Sequence, residues 1–215
     1  MRFGVLGTGM VGDAIATKLA SLGHEVKMGA RDAKNEKAAA WVGKAGAKAS
    51  QGTFADAATF GEVLFNCTSG MASLEVLKSA GEANLAGKVL IDVSNPLDFS
   101  KGMPPTLSVS NTDSLGEQIQ RAFPKTHVVK TLNTLNAQLM VEPKSLAGGD
   151  HDLFISGNDA GSKGKVKELL QTFGWKTIHD LGDITTARGT ESILPIWIRL
   201  WGALGDANFN FKIVR

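Results

Sequence analysis

The feature that most constrains this chain is a glycine-rich turn between an apolar run and an amphipathic one. Phe3, Val5 and Leu6 have the pattern of a buried strand, and the spacing of apolar residues in 13–20 is typical of a helix. Between them the chain reads Gly7-Thr8-Gly9-Met10-Val11-Gly12. Strand, glycine turn and helix in this order predict a βα unit that binds a dinucleotide at the helix N-terminus. The alternative is a βα turn that binds nothing.

Each glycine of the turn has its own expected task. Gly7 permits the tight turn, Gly9 lets the backbone approach a pyrophosphate, and Gly12 lets the helix pack closely on the strand. Free N–H groups at the start of the helix would donate to the phosphates.

The residues after the second predicted strand, 25–28, bear on which dinucleotide is bound. An NAD-binding protein usually carries Asp or Glu here for the ribose hydroxyls. This chain instead has Arg31, with Lys34 close by, and a guanidinium can clamp the 2′-phosphate of NADP. NADP(H) is therefore favoured over NAD. Two alternatives stay open: Asp32 contacts a ribose, or the segment is a solvated surface turn.

Strand-like and helix-like segments alternate through the first two thirds of the chain. Strands are predicted at 3–6, 25–28, 63–66, 89–93 and 128–132, with a shorter run at 47–50. Helices are predicted at 13–20, 35–45, 72–80 and 114–122. This alternation predicts an α/β fold, a Rossmann-type doubly wound parallel sheet.

A second unit is expected after the punctuation at 142–150. A strand at 153–157, a helix at 162–173 and a strand at 176–180 are followed by a mostly helical stretch, 185–204, and an extended tail. We therefore expect an NADP-binding domain over 1–145. A small C-terminal α/β domain over 146–215 would supply dimer contacts. It would also supply one wall of the site for the second substrate, the acceptor of electrons from the dinucleotide.

Composition narrows the function classes. A formal charge of +2 without a run of like charges argues against a nucleic-acid partner, and no apolar stretch is long enough for a membrane span. The first strand begins at once, so we expect no secretory signal and a cytoplasmic location. The single cysteine, Cys67, excludes an intramolecular disulfide and is expected to be a buried thiol.

Polar residues follow three further strands, and ligands of such sheets lie at the carboxyl ends of the strands. Thr68 and Ser69 follow 63–66, and Asn95 and Pro96 follow 89–93. These residues are candidates for contacts to the ribose or the nicotinamide, although each is also typical of an ordinary turn or helix cap. Asn133, after 128–132, is the best single candidate for an acceptor contact; its alternative role is an N-cap for the following helix.

No general acid stands out. The chain has no tyrosine, which removes the usual acid of short-chain dehydrogenases. Its four histidines are better read as structural or exposed, and no His or carboxylate spacing suggests a metal site. Hydride transfer to an acceptor that is itself a redox ring needs mainly alignment of two rings. The sequence therefore favours a flavin-like or deazaflavin acceptor over a simple ketone.

The chain resembles the F420-dependent NADP oxidoreductases along almost its whole length. The resemblance rests on the glycine turn and on Gly29-Ala30-Arg31, Leu90-Ile91-Asp92-Val93-Ser94-Asn95-Pro96, Val128-Val129-Lys130-Thr131-Leu132-Asn133-Thr134, Asp180-Leu181-Gly182-Asp183 and Ala187-Arg188-Gly189-Thr190-Glu191. The same signatures occur in the cytoplasmic reductase domain of the six-transmembrane ferric reductases.

This resemblance implies hydride exchange between NADP(H) and a deazaflavin, coenzyme F420, bound between the sheet and the C-terminal unit of a homodimer. It implies NADP-binding roles for Gly7, Thr8, Gly9, Met10, Val11 and Arg31. It places Ser69 and Ala137 at the nicotinamide end.

Two departures concern the acceptor side. The loop 133–137 begins with Asn where the deazaflavin enzymes tend to have His, as in the ferric-reductase version. Ser69-Gly70 replaces an apolar Pro-Trp pair, which removes a wall from the acceptor pocket. Trp197 and Trp201, four residues apart on one helical face, suggest dimer packing, a wall of the acceptor site or packing on the sheet.

Three functions are compatible with these residues. The leading one is an NADPH-dependent reductase of F420 or of a flavin such as FMN or FAD. The second is an NADPH-linked ferric or quinone reductase that uses diffusible flavin. The third is a non-catalytic NADP(H)-binding redox sensor.

Overall fold

A computed structural model describes all residues from Met1 to Arg215. The strands are β1 (Arg2–Leu6), β2 (Glu25–Ala30), β3 (Ala49–Thr53), β4 (Val63–Asn66), β5 (Val89–Asp92), β6 (Leu97–Asp98), β7 (Thr106–Leu107), β8 (His127–Thr131), β9 (Asp152–Gly157) and β10 (Thr177–Gly182). The α-helices are α1 (Met10–Ser21), α2 (Glu36–Ala45), α3 (Phe54–Phe60), α4 (Gly70–Ala80), α5 (Glu82–Leu85), α6 (Leu115–Ala122), α7 (Ala137–Val141), α8 (Ala160–Phe173), α9 (Ala187–Ser192) and α10 (Leu194–Leu204). Short 3₁₀ turns lie at Pro143–Ser145, Ala147–Gly149 and Ile184–Thr186.

One eight-stranded sheet organises the molecule, in the order β10-β9-β8-β5-β4-β1-β2-β3. Six of its strands, β8, β5, β4, β1, β2 and β3, are mutually parallel, which confirms the predicted Rossmann-type doubly wound fold. The strand order reverses at β1, so the crevice beside β1 and β4 is the expected ligand site. All the loops that carry candidate site residues leave the carboxyl ends of these strands.

The C-terminal strands extend the same sheet. β9 pairs with β8 in the antiparallel direction, and β10 pairs with β9 in parallel. The division into two domains near residue 145 stays a prediction. The strands on either side of that position, β8 and β9, are hydrogen-bonded to each other in one sheet. A separate two-stranded hairpin, β6–β7, stands above the carboxyl edge after β5.

Helices cover both faces of the sheet. On one face α1, α2, α7 and α8 bury residues such as Ile15, Trp41 and Val166 against the strands. On the other, α3, α4, α6 and α9 bury residues such as Leu77 and Ile119. None of the helices combines the length and hydropathy that a bilayer-spanning segment requires.

Capping residues explain where several helices begin. The side chains of Asn35 and Ser114, predicted as the first helical residues, accept N–H bonds from Ala38 and Glu117 and are therefore N-caps. The sequence prediction missed α3, although Thr53 and Asp56 form a capping box at its start. Pro195 lies in the first turn of α10, where proline is tolerated.

Candidate functional site

The glycine turn has the geometry that a bound phosphate requires. Gly7 has a φ of +119°, and a Cβ there would lie 2.7 Å from the carbonyl oxygen of Cys67. A Cβ on Gly12 would lie 2.1 Å from the carbonyl oxygen of Gly7, so the helix packs on the turn too closely for a side chain. At Gly9 a Cβ would meet nothing within 4 Å. The space above Gly9 is therefore open for a ligand to reach the backbone.

The N-terminus of α1 is free to bind an anion. No side chain caps this helix, so its first N–H groups have no side-chain acceptor. Met10, the first helical residue, is 85% exposed. The residues of the turn thus fit the pyrophosphate of a dinucleotide, because they supply open backbone and uncapped N–H donors at the positive end of the helix dipole.

The largest cavity begins at this turn. It has a volume of about 1000 Å³ and runs along α1 between α2 and α7. Among the predicted residues, Thr8, Gly9, Met10 and Ala137 line it together. Ala137 is the first residue of α7, so the structure brings the start of this helix beside the glycine turn.

Arg31 lies immediately beyond β2 and is exposed without an ion-pair partner. Asp32 uses one side-chain oxygen in its own turn, where it accepts the N–H of Lys34 at 2.9 Å. Arg31 is therefore available for a phosphate, and the Lys34 side chain is exposed beside it. This arrangement suits the role predicted for Arg31 in selecting NADP.

The loops after β4 and β5 meet at the carboxyl edge. A Cβ on Gly70 would lie 1.9 Å from the carbonyl oxygen of Asn95, so the two loops are in direct backbone contact. Thr68 is half-buried, and its hydroxyl donates to Oδ1 of Asn66 at 2.6 Å. Ser69 is exposed and makes no capping bond to α4. Pro96 is buried in the adjoining loop.

Asn95 and Asn133 form a reciprocal amide pair. Asn95 donates from Nδ2 to the Asn133 backbone oxygen at 2.8 Å, and Asn133 donates from Nδ2 to Oδ1 of Asn95 at 3.1 Å. Asn133 also donates to the Thr190 carbonyl at 3.0 Å. The helix cap at this position is Asn136, so the alternative role of Asn133 as an N-cap is wrong. Leu132, just before it, has a φ of +62°, a costly conformation that turns the chain sharply after β8.

A second, smaller cavity lies against this amide pair. Its volume is about 100 Å³, and its polar lining is Asn95 and Asn133. The remaining lining residues are apolar and come from the β6–β7 hairpin, the loop after β8 and α10: Leu97, Phe99, Met103, Pro105, Leu135, Leu194, Trp197, Ile198 and Trp201. None of the 11 lining residues titrates.

The two tryptophans form the outer wall of this smaller cavity. Trp197 stacks on Phe209 with ring centroids 5.1 Å apart, and Trp201 lies 6.0 Å from Trp197. The indole N–H of Trp197 is buried without a hydrogen-bond acceptor. Trp201 is 43% exposed.

Sequence reasoning missed two parts of the site. The first is the β6–β7 hairpin, which supplies Phe99 and Met103 to the smaller cavity. The second is Lys130, a fully buried lysine that lies between Asp92 and Glu191. Its signal in the sequence was a lysine inside the largely apolar run Val128–Leu132.

The thiol of Cys67 is buried, as the sequence predicts, although the residue as a whole is half-buried. Burial of its thiol raises the cysteine pKa far above its ordinary value, and the negative charge of Asp92 adds to the increase. The thiol is therefore protonated at neutral pH and is a poor nucleophile.

Comparisons with known proteins identify the family of this chain. The family described as NADP oxidoreductase coenzyme F420-dependent matches residues 2–96. The F420-dependent NADP reductase of Methanothermobacter marburgensis is 30% identical over 209 residues, covering 93% of this chain and 92% of the relative. The metalloreductase STEAP3 of Rattus norvegicus is 29% identical over 91% of this chain, which spans only 38% of its length.

Solved structures add to these matches. A protein of Arthrobacter sp. FB24, provisionally assigned as an F420-dependent NADP-reductase, is 57% identical with a TM-score of 0.97, and the match covers 100% of both chains. A reductive aminase of Aspergillus terreus, 19% identical with a TM-score of 0.66, matches 95% of this chain and 62% of its own and shares the fold alone. The chain is an NADP-dependent oxidoreductase, and it belongs to the family of F420-dependent NADP reductases.

Proposed function

We propose that this protein transfers a hydride between NADP(H) and a deazaflavin of the coenzyme F420 type. When bound, NADPH supplies the hydride. The glycine turn and the uncapped start of α1 hold the pyrophosphate, and Arg31 binds the 2′-phosphate. One edge of the acceptor ring enters the smaller cavity between the Asn95–Asn133 pair and α10, and the rest of the ring lies over its rim.

The observation that carries this proposal is the lining of the acceptor cavity. It consists of two amides and nine apolar side chains, without a titratable group. Reduction of a ketone would require a proton donor, and this wall supplies none. A redox ring requires chiefly that it be held flat against the nicotinamide in a water-poor space, which apolar walls provide.

The rim of the smaller cavity also suits a planar ring. Phe99 and Met103 are 56% and 62% exposed at the rim. A ring that extends beyond the small cavity would cover part of their apolar surface, a gain of about 25 cal/mol for each Å² buried.

The acceptor is tested by side-by-side turnover. NADPH oxidation is followed with coenzyme F420, FMN and a ferric chelate as the acceptors, each at matched concentration. The proposal requires the highest kcat/KM with F420. A higher kcat/KM with FMN or with the chelate would contradict it.

The cofactor assignment has its own test. Arg31→Ala should weaken NADPH binding by about tenfold to a hundredfold, since a hydrogen bond to a charged group contributes about 1.5–3 kcal/mol. NADH binding should change little. Lys78→Ala, which removes an exposed lysine of α4 that lines neither cavity, is the control and should leave both affinities unchanged. Equal losses of NADPH and NADH affinity in Arg31→Ala would contradict the assignment.

A second candidate function has a specific observation in its favour. Asn133 occupies the position where a deazaflavin enzyme tends to have His, and its amide is committed to Asn95 and Thr190. The STEAP3 similarity also spans 91% of this chain. An NADPH-linked metal reductase that uses diffusible flavin would show ferric chelate reduction only when FMN or FAD is added.

A further inference from the structure

A chain of buried polar and charged side chains connects the loop after β4 with α9. It starts at Thr68, which donates to Asn66, and Asn66 in turn donates from Nδ2 to Oδ1 of Asp92 at 2.9 Å. Lys130 then links Oδ2 of Asp92, at 2.9 Å, to Oε1 of Glu191, at 2.8 Å. The last four side chains have little or no contact with water.

Lys130 is the centre of this network. Its ammonium group donates hydrogen bonds to Asp92 and to the carbonyl oxygen of Ser94, the latter at 2.6 Å, and forms an ion pair with Glu191. Lys130 therefore fixes three parts of the fold at once: the end of β5, the loop that follows it, and α9. Burial alone lowers the pKa of Lys130, but the negative charges of Asp92 and Glu191 together outweigh this effect and raise it.

Glu191 holds the other end of the chain. Its two carboxylate oxygens accept the backbone N–H groups of Leu115 at 2.7 Å and Gly116 at 3.0 Å, at the start of α6. Asp92 and Glu191 together carry one more negative charge than Lys130 neutralises. Glu191 lies at the N-terminus of α6, where the helix dipole is positive and stabilises that charge. The carbonyl of Thr190, the neighbouring residue, accepts the amide of Asn133.

This end of the chain supports the acceptor cavity. Three residues after Glu191, α10 begins with Leu194, which lines the smaller cavity together with Trp197. The opposite end reaches Thr68 in the predicted cofactor loop. Consequently this network of side chains, from Thr68 to Glu191, connects the predicted cofactor loop with the helix that lines the smaller cavity.

Stability alone does not require such a chain. Replacing buried ions with apolar residues of similar volume is often neutral or stabilising. What a fully bonded network adds is a single arrangement of the elements that it joins. Hydride transfer between two rings depends steeply on their separation and alignment, so a fixed arrangement is valuable here.

We propose that Lys130 and Glu191 are positioning residues that hold the α9–α10 wall of the acceptor cavity in register with the cofactor loops. The inference rests on the proposed function only for its kinetic readout. A second readout, amide hydrogen exchange, requires no acceptor.

The kinetic test compares Glu191→Gln with Glu117→Gln. Glu117 is the matched control, because it is buried at the same α6–α9 junction and pairs with Arg188 at 2.6 Å without contacting Lys130. Glu191→Gln should keep the NADPH Kd within about twofold while kcat with the acceptor falls about tenfold to a hundredfold. Glu117→Gln should lower Tm by about as much as Glu191→Gln does. It should leave kcat within about twofold of the wild type.

Amide exchange distinguishes failure of this inference from failure of the proposed function. In Glu191→Gln the amides of 194–201 should exchange faster than in the wild type, and in Glu117→Gln the increase should be confined to 114–122 and 187–189. If the wild type reduces no deazaflavin, the proposed function fails and exchange alone decides the positioning role. If Glu191→Gln does not fold, Glu191→Asp, which keeps the charge and shortens its reach, carries the same expectations. Wild-type kcat or unchanged exchange over 194–201 in the folded variant overturns the inference.

Discussion

Substitution of Gly9 separates folding from cofactor binding. Gly9 is the N-cap of α1 with a φ of −78° and a ψ of −177°, an extended conformation that any residue adopts. A Cβ there would contact nothing within 4 Å. Gly9→Ala should gain about 0.4–1 kcal/mol from a stiffer unfolded chain. Alanine is a poorer N-cap than glycine, which costs a comparable amount. The two effects nearly cancel, and Tm should stay within about 4 °C of the wild type.

In the proposed binding mode, the same methyl group would occupy the space that the pyrophosphate enters. Loss of one hydrogen bond between a backbone N–H and a charged phosphate costs about 1.5–3 kcal/mol, so the NADPH Kd should rise about tenfold to a hundredfold. Fluorescence titration with NADPH measures this change, and thermal unfolding measures Tm on the same sample.

Gly12→Ala provides the contrast. Its Cβ would lie 2.1 Å from the carbonyl oxygen of Gly7, a backbone atom that cannot move aside cheaply. Overpacking of this kind costs about 1–3 kcal/mol or more, equivalent to a fall in Tm of roughly 2–12 °C. Wild-type NADPH affinity in Gly9→Ala would refute the phosphate-binding role of the turn. A lower Tm for Gly9→Ala than for Gly12→Ala would refute the packing argument.

Three further perturbations follow from the structure. Hydrogen bonds from Arg121 lower the pKa of Asp113 to about 2 from an ordinary 3.8. The pair therefore stabilises the fold above pH 3.8 and loses this contribution as pH falls towards 2. Asp113→Asn should flatten the dependence of the unfolding free energy on pH in that range, and an unchanged slope would contradict the role of this pair. The Cys67 thiol should react with an aromatic disulfide reagent only as fast as the protein unfolds, and rapid labelling of the native protein would contradict its assignment as inert. Trp201→Asp should convert the expected homodimer to monomer in sedimentation velocity, because a charge would enter an apolar contact; a wild-type protein that sediments as a monomer would rule out the dimer.

Local patterns in the sequence were sufficient to predict the central strands and the glycine turn. Buried parallel strands such as 63–66 read as short apolar runs, and the turn residues each satisfy a steric requirement of their own. Arg31 was found for a similar reason, since its position follows directly from the end of β2. These features depend on residues that are close in sequence.

Features that join distant segments were not predictable in the same way. The antiparallel direction of β9 depends on its pairing with β8 across the turns at 143–149, and no local pattern encodes that direction. The Asp92–Lys130–Glu191 chain joins residues up to 99 positions apart, so only the unusual lysine in an apolar strand signalled it. The binding roles of the candidate residues remain predictions.

Isotope transfer tests the central claim most directly. NADPH carrying deuterium at the transferable position of C4 is incubated with the protein and coenzyme F420, and the reduced deazaflavin is analysed by mass spectrometry. Direct transfer between two rings aligned in one cavity predicts that the reduced deazaflavin is one mass unit heavier than the product obtained with unlabelled NADPH. Recovery of unlabelled reduced deazaflavin, or no reduction at all, would contradict the account.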